Sequence, residues 1–385
     1  MRDLLFLAHR VPFPPDRGDK IRSFHVLRHL ARDWRIHLCA FADSAGDRDP
    51  SPVFRDLLAS CRIVPREKAM PLAALQAVAM RKPVSLTAFA SPAMARAVAE
   101  VRGGGVTAAY IFSGQMAQYH GPEPTVMDMV DVDSAKFAAL ADAAAAPKAM
   151  MLAREARLLG AFEREVAAGV AATLFVSEAE AALFREGGGR GRIAAVENGI
   201  DAGFYDPQAI GAVEPGGPLI VFTGQMDYRP NVDAVVHFAQ RILPHIRRTH
   251  PDARFAIVGR APTPAVRRLA GEAVIVTGEV PDTRVWLARA AVCVAPLMLA
   301  RGIQNKVLEA MAMARPVVAS AAAAEGIGHG GTIAVASDDG DFAAKIIAAL
   351  DGPTGNPAAR ARVLERYDWA ARLAPLDRIL QDIAS

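Results

Sequence analysis

Lys306 and Glu309 stand three residues apart in the segment GIQNKVLEAMA, residues 302–312. On a helix that spacing puts an ammonium and a carboxylate on one face, one above the other. An apolar run at 292–295 ends at Pro296, a loop follows, and a helix is expected to open near Gln304. A helix start at the C-terminal edge of a parallel strand offers unpaired backbone N–H groups and the positive end of the helix dipole, which together make an anion site. Lys306 adds a point charge to it. Glu309, one turn on, is placed to accept the hydroxyls of a ribose whose phosphates sit on Lys306. Spacing alone leaves a second reading open, a solvated Lys–Glu pair on a helix surface.

Two further loops have the same form. The apolar run 219–223 leads into Gly224-Gln225-Met226-Asp227-Tyr228-Arg229-Pro230-Asn231, with a helix expected from Val232. Gly224 permits close backbone approach and Arg229 can present a guanidinium fork to a phosphate. A capped turn with a solvated arginine is the plainer alternative. At the N-terminus the run 4–8 leads into His9-Arg10-Val11-Pro12-Phe13-Pro14-Pro15-Asp16-Arg17-Gly18-Asp19-Lys20-Ile21-Arg22. Gly18 falls near the start of a helix whose apolar face uses Ile21, Phe24, Leu27 and Leu30. Three such loops, spread over two series of strands, imply a ligand cleft between two domains.

Other signals carry less. Asp131-Val132-Asp133 has the spacing of a metal-binding DxD, but that motif belongs to a single-domain fold with another strand order. Asp128 and Asp131 follow an expected strand edge, where one of them can face the cleft as a base or acceptor contact. His25 and His29 are four apart with no HExxH glutamate, which favours a surface or core role. The glycines at 103–105 and 187–189 look like turns, and no GxGxxG fingerprint occurs. Ser177-Glu178-Ala179-Glu180 is a capping box. Residues 69–80, rich in Ala, Leu and Met, lie between Arg66-Glu67-Lys68 and Arg81-Lys82. They form either a helix buried on the first domain or an amphipathic element in a membrane headgroup region.

The elements that must position these loops are short apolar runs alternating with helix-length segments, the pattern of βα units around a parallel sheet. Strands are expected at 4–8, 36–41, 62–64, 108–112, 125–129, 173–176 and 193–196, then at 219–223, 254–258, 273–276, 292–295, 317–319 and 332–335. Several are apolar throughout, as when helices cover both sheet faces. A Gly- and Pro-rich stretch at 209–218 suggests a linker, and a last helical stretch is expected at 359–383. The domains are placed at 1–205 and 206–358, followed by a terminal helical segment, 359–385. The chain has 385 residues, 52% of them hydrophobic and 22% charged, which excludes a largely disordered protein. A net charge of +3 suits an anionic small ligand and gives no case for a nucleic-acid partner. Cys39, Cys61 and Cys293 lack CxxC spacing, and the N-terminal apolar run is too short for a signal peptide. A cytoplasmic protein with no membrane span is expected.

At these loops the chain resembles the GT-B glycosyltransferases of family 4, often called group 1, along nearly its whole length. Gly278-Glu279-Val280-Pro281-Asp282, the run 292–295 with Pro296, and residues 302–320 resemble the donor-binding half in order and spacing. Phe175-Val176-Ser177-Glu178 and Glu197-Asn198-Gly199-Ile200-Asp201 resemble the inter-domain region. The N-terminal loop, residues 224–231 and residues 126–134 are similar to a bacterial branch associated with the PEP-CTERM/exosortase system. The resemblance implies an α/β protein with two Rossmann-like, doubly wound parallel-sheet domains facing a central cleft, the last helix crossing back to the first. It implies retaining, metal-independent transfer, with no cofactor, of a sugar from a UDP- or GDP-sugar to a polysaccharide or lipid-linked acceptor in exopolysaccharide biosynthesis. A peripheral contact with the inner membrane would accompany such an acceptor.

By that resemblance Lys306 and Arg229 hold the phosphates, Glu309 the ribose and the backbone around Val280 the base. Gly18 approaches the diphosphate from the first domain, and Arg301, Gly302, Ile303, Gln304 and Asn305 complete the donor loop. The family's histidine after the fifth strand is absent, which leaves Asp131 as the acceptor-side candidate. Arg301 occupies the place of the first of two family glutamates, eight positions before Glu309. The Gly-Arg and Lys-Gly of the family's donor loop are replaced by Gly224-Gln225 and Pro230-Asn231. Arg301 keeps open an alternative, an inactive nucleotide-sugar-binding partner of an assembly complex. A sugar-nucleotide epimerase fits the N-terminal loop less well.

Overall fold

The structure is a computed structural model describing residues 1–210, 217–299 and 303–383. Arg301, Gly302 and the central residues of the expected linker, 211–216, lie outside the described residues. The chain forms two compact units. One comprises Met1–Asn198 with the residues from Arg372 on, and the other comprises Gly199–Ala371.

The first unit is built on seven strands: β1 (Arg2–Ala8), β2 (Trp34–Ala42), β3 (Ser60–Pro65), β4 (Ala108–Phe112), β5 (Thr125–Val130), β6 (Ala172–Phe175) and β7 (Ile193–Ala195). They pair in the order β3-β2-β1-β4-β5-β6-β7, every pair parallel. The second unit has β8 (Leu219–Thr223), β9 (Arg254–Val258), β10 (Val274–Gly278), β11 (Val292–Ala295), β12 (Val317–Ser320) and β13 (Ala334–Ala336). Their order is β10-β9-β8-β11-β12-β13, again all parallel. Each sheet therefore runs outward from its first strand in both directions, the doubly wound Rossmann arrangement. The strand order reverses between β1 and β4 in one unit and between β8 and β11 in the other.

Every expected strand falls on an observed one. The central strands are legible because they are apolar on both faces; all of Leu4–Ala8, Ala108–Phe112 and Leu219–Thr223 is buried. The last strand starts two residues later than expected, because Thr332 is held in a turn through its N–H to the His329 carbonyl, 3.1 Å. The expected final helix is two helices, Pro357–Arg366 and Trp369–Ile383. The break at Tyr367-Asp368 is made by the distant Ile200, whose N–H donates to the Tyr367 carbonyl (2.7 Å) and whose carbonyl accepts from the Trp369 N–H (3.3 Å). Gly199 is required there, since a Cβ would lie 2.6 Å from Trp369 Cα. Among the described residues no helix is long and apolar enough to cross a membrane.

Candidate functional site

The second unit holds a pocket of about 500 Å³ at the C-terminal ends of its strands. Its floor is the point where the strand order reverses: Thr223 and Gly224 follow β8, and Gln304, Asn305 and Lys306 come from the connection after β11. Ligands of doubly wound sheets bind at this point because two neighbouring connections leave in opposite directions and open a crevice. Val258, Gly259 and Arg260 from the end of β9 and Glu279 and Val280 from the end of β10 form one wall. Tyr205, Thr283 and Glu309 form another.

Backbone proximity sets the shape. A Cβ on Gly259 would fall 1.7 Å from the Gly224 carbonyl oxygen, so the loops after β8 and β9 touch main chain to main chain. A Cβ on Gly224 would fall 2.8 Å from Asn231 Nδ2 and 3.3 Å from Lys306 Nζ. Glycine there keeps open the space above the lysine.

Lys306 is fixed from three directions. The helix α1 (Asn305–Ala312) starts beside it, with Gln304 as the preceding cap residue. Its ammonium donates to Asn231 Oδ1 at 2.5 Å and lies 4.1 Å from the centre of the Phe222 ring. Asn231 is buried in the first turn of the helix α2 (Arg229–His237), and its amide donates to the Gln225 carbonyl at 2.9 Å. Burial pushes the Lys306 ammonium down to about 8, against the opposing pull of Glu309. Burial also raises the Glu309 carboxyl, while a hydrogen bond with Tyr205 and the charge of Lys306 act to lower it. The pair thus sits in a setting of low polarity, where a charge contacting a ligand counts for more than in water.

The pocket brings together Gly224, Val280, Gln304, Asn305, Lys306 and Glu309 of the expected site. Ile303 packs against the second unit's core beside them. Arg229 stands outside the lining, 85% exposed, with its guanidinium bonded to Asp233 one turn along α2. The arginine on the lining is Arg260, which donates to Gln225 Oε1 at 3.2 Å. Gly18 and Asp131 belong to the first unit. Gly18 opens the helix α3 (Gly18–Leu30), with open space for 4 Å around the place a Cβ would take. Asp131 is ion-paired to Lys136 at 2.5 Å. It follows Val130, whose φ of +71° is a conformation that β-branched residues avoid.

Asp128 is an interior residue of β5 and fully buried. It accepts from Arg22 Nε (2.9 Å), Arg22 Nη2 (3.2 Å) and the Tyr110 hydroxyl (2.5 Å), which accounts for it as a structural charge. His29 pairs with Asp377 at 2.8 Å and His25 faces Arg28 at 3.0 Å, in keeping with a structural role. Among the described residues no group of three or more His, Cys, Asp or Glu is placed to hold a metal ion. Sequence reasoning missed Tyr205, Gly259, Arg260 and Thr283. Gly259-Arg260 had the available signal, a glycine directly after an apolar run, as at Gly224.

Residues 217–352 match the family model described as glycosyl transferases group 1. No curated protein sequence matches the chain. Among solved structures the chain is similar to sucrose-phosphate synthase from Thermosynechococcus elongatus, with a TM-score of 0.61 at 17% identity, covering 100% of this chain and 99% of that one. Anabaena HepE, solved in complex with UDP-glucose, gives 0.60 at 16% identity over 99% of this chain and 100% of that one. A glycosyltransferase from Rickettsia africae gives 0.63 at 12% identity, covering 99% and 98%. These likenesses establish the shared fold over the whole chain. With a group 1 glycosyl transferase domain in its second unit and two parallel-sheet domains of the GT-B type, the protein is an enzyme of the glycosyltransferase class.

Proposed function

We propose that this glycosyltransferase, which moves a sugar from a nucleotide-sugar donor, binds a UDP- or GDP-sugar in the second unit's pocket. The acceptor is a polysaccharide or lipid-linked glycan of exopolysaccharide biosynthesis, in the branch associated with the PEP-CTERM system, and the enzyme works on the cytoplasmic side of the inner membrane. The observation that carries the reading is the lining itself: Lys306 and Glu309, one turn apart, share one pocket with the Gly224 backbone at the reversal of strand order. HepE, which has the same fold, is described with UDP and with UDP-glucose, and that favours uridine as the base.

In the reaction the acceptor hydroxyl oxygen bonds to the anomeric carbon as the bond from that carbon to the β-phosphate oxygen breaks. The hydroxyl proton leaves with the diphosphate, and negative charge grows on the departing oxygen before the proton arrives. Lys306 and the first N–H groups of α1 meet that charge, and they bind it better as it develops. Glu309, bonded to Tyr205, accepts the ribose hydroxyls, and the main chain at Val280 meets the base. Arg260 supplies a second cation from the lining, with Arg229 in reserve on Asp233. Transfer is taken to need no metal, since lysine and helix start already provide positive charge, and retention of configuration is carried over from the resemblance to family 4. Asp131 is assigned to the acceptor side and Gly18 to the diphosphate. Melting curves with nucleoside diphosphates and their sugars test the reading, because a ligand that prefers the native state raises the transition. UDP or GDP should stabilise the wild type and, at the same concentration, raise the transition of Lys306→Ala by clearly less. Transfer by Lys306→Ala at the wild-type rate refutes it.

A further inference from the structure

The stretch 69–80, open to two readings in sequence, forms the helix α4 (Met70–Ala79) in the first unit. Only two small residues, Ala73 and Ala77, are buried beneath it. Its outer face is apolar: Met70, Leu72, Leu75 and Val78, with Met80 after its end, are between 49% and 69% exposed. Gln76 is the single polar side chain from 69 to 80.

A second exposed apolar pair, Met150 and Met151, opens the helix α5 (Lys148–Gly169). The two segments meet where Arg154, one turn further along α5, donates to the Ala77 carbonyl at 2.9 Å. Exposed cations border the surface, Arg81 and Lys82 after α4 and Lys148 and Arg157 on α5.

We infer that this face docks the first unit on an anionic lipid surface. The apolar face of α4 enters the acyl boundary, and Arg81, Lys82 and Lys148 meet lipid phosphates. The composition fits this occupant. An apolar face with cations at its border is the pattern of a helix lying in a bilayer interface. A protein partner would need more: a helix of ten residues presents roughly 15 Å by 10 Å, short of the about 500 Å² per partner of a stable interface. The inference does not depend on which acceptor the enzyme uses, and its test needs no donor.

Co-sedimentation of the full chain with vesicles of phosphatidylcholine alone, and of phosphatidylcholine mixed with phosphatidylglycerol, measures it. Binding is expected on the mixed vesicles, weak on the neutral ones, and reduced by salt. Leu75→Glu with Val78→Glu should abolish binding, and Arg81→Ala with Lys82→Ala should weaken it about thirtyfold, from about a factor of five per cation. All four positions are exposed, so unchanged melting and nucleotide response certify the fold of these variants. Failure to bind mixed vesicles, equal binding to neutral ones, or binding that survives Leu75→Glu with Val78→Glu overturns the inference. A dimer that this pair of changes dissociates, without vesicle binding, assigns the face to a second copy instead.

Discussion

Replacing Lys306 by methionine keeps an unbranched side chain of nearly the same reach over Phe222 and removes the charge and the donor to Asn231. Removing one well-placed donor from developing negative charge costs about 2.7–4 kcal/mol, a drop of about 100- to 1,000-fold in kcat. The ground-state complex already carries charge on the diphosphate, so affinity for UDP should fall too, by about tenfold or about 1.4 kcal/mol. A coupled assay for released nucleoside diphosphate gives kcat, and titration calorimetry gives the dissociation constant. The pH profile separates this role from a structural one. Burial pushes the Lys306 ammonium down to about 8. Below that value the pocket is charged when the anion arrives; above it a proton must be taken up. Affinity should hold steady from pH 7 to about 8 and then weaken by about tenfold in all over the next one to two units, where it levels off. In Lys306→Met, and in Lys306→Arg whose guanidinium stays charged, the profile should be flat over that range. A wild-type affinity that is flat to pH 9.5, or a methionine variant within twofold of wild type in kcat, refutes the reasoning.

Other expectations follow from the same contacts. Glu309→Gln should weaken nucleotide binding by about tenfold, while leaving kcat at saturating donor within a few-fold, as for a residue that contacts the ribose in ground and transition states alike. Arg260→Ala should raise the KM for donor more than Arg229→Ala, because only Arg260 lines the pocket and Arg229 is bonded to Asp233. Gly259→Ala should lower the stability of the second unit by about 3 kcal/mol or more in chemical denaturation, since its Cβ meets the Gly224 carbonyl at 1.7 Å. Asp128→Asn should cost the first unit about 3–5 kcal/mol by leaving Arg22 buried without its counter-charge, and leave UDP affinity unchanged.

What the sequence made legible was local. Strands apolar on both faces announce themselves, and a glycine or a lysine at a helix start marks a binding loop within a dozen residues of chain. The contacts that complete the picture are long-range. Asp128 looks available at a strand end until Arg22, 106 residues earlier, is found to hold it. Tyr205 reaches Glu309 from more than a hundred residues away, and Asn231 holds Lys306 across 75. Ile200 breaks a final helix that propensity alone would have carried through Tyr367. Each of these depends on which chain segments the sheet order brings together, which no window of sequence contains.

The two sheets share a strand order, yet their reversal points are furnished differently. After β1 most polar side chains satisfy one another: His9 and Arg10 both bond to Asp19, Lys20 is buried on Asp47 at 3.0 Å, and Arg22 on Asp128, while His9 Nδ1 is buried with no partner among the described residues. Such closed pairs have little left to offer a ligand, and breaking them would leave buried charges behind. After β8 the arrangement is open. Lys306 spends one of its three donors on a neutral amide, and Glu309 is bonded to a tyrosine rather than to a cation. Both stand in a pocket where charges are poorly solvated, and among the described residues neither is hydrogen-bonded to a full counter-charge. A bound diphosphate would provide the lysine with that counter-charge. This asymmetry argues that donor-binding energy is concentrated in the second unit, so substitutions that break the closed pairs after β1 should act on stability before they act on nucleotide affinity.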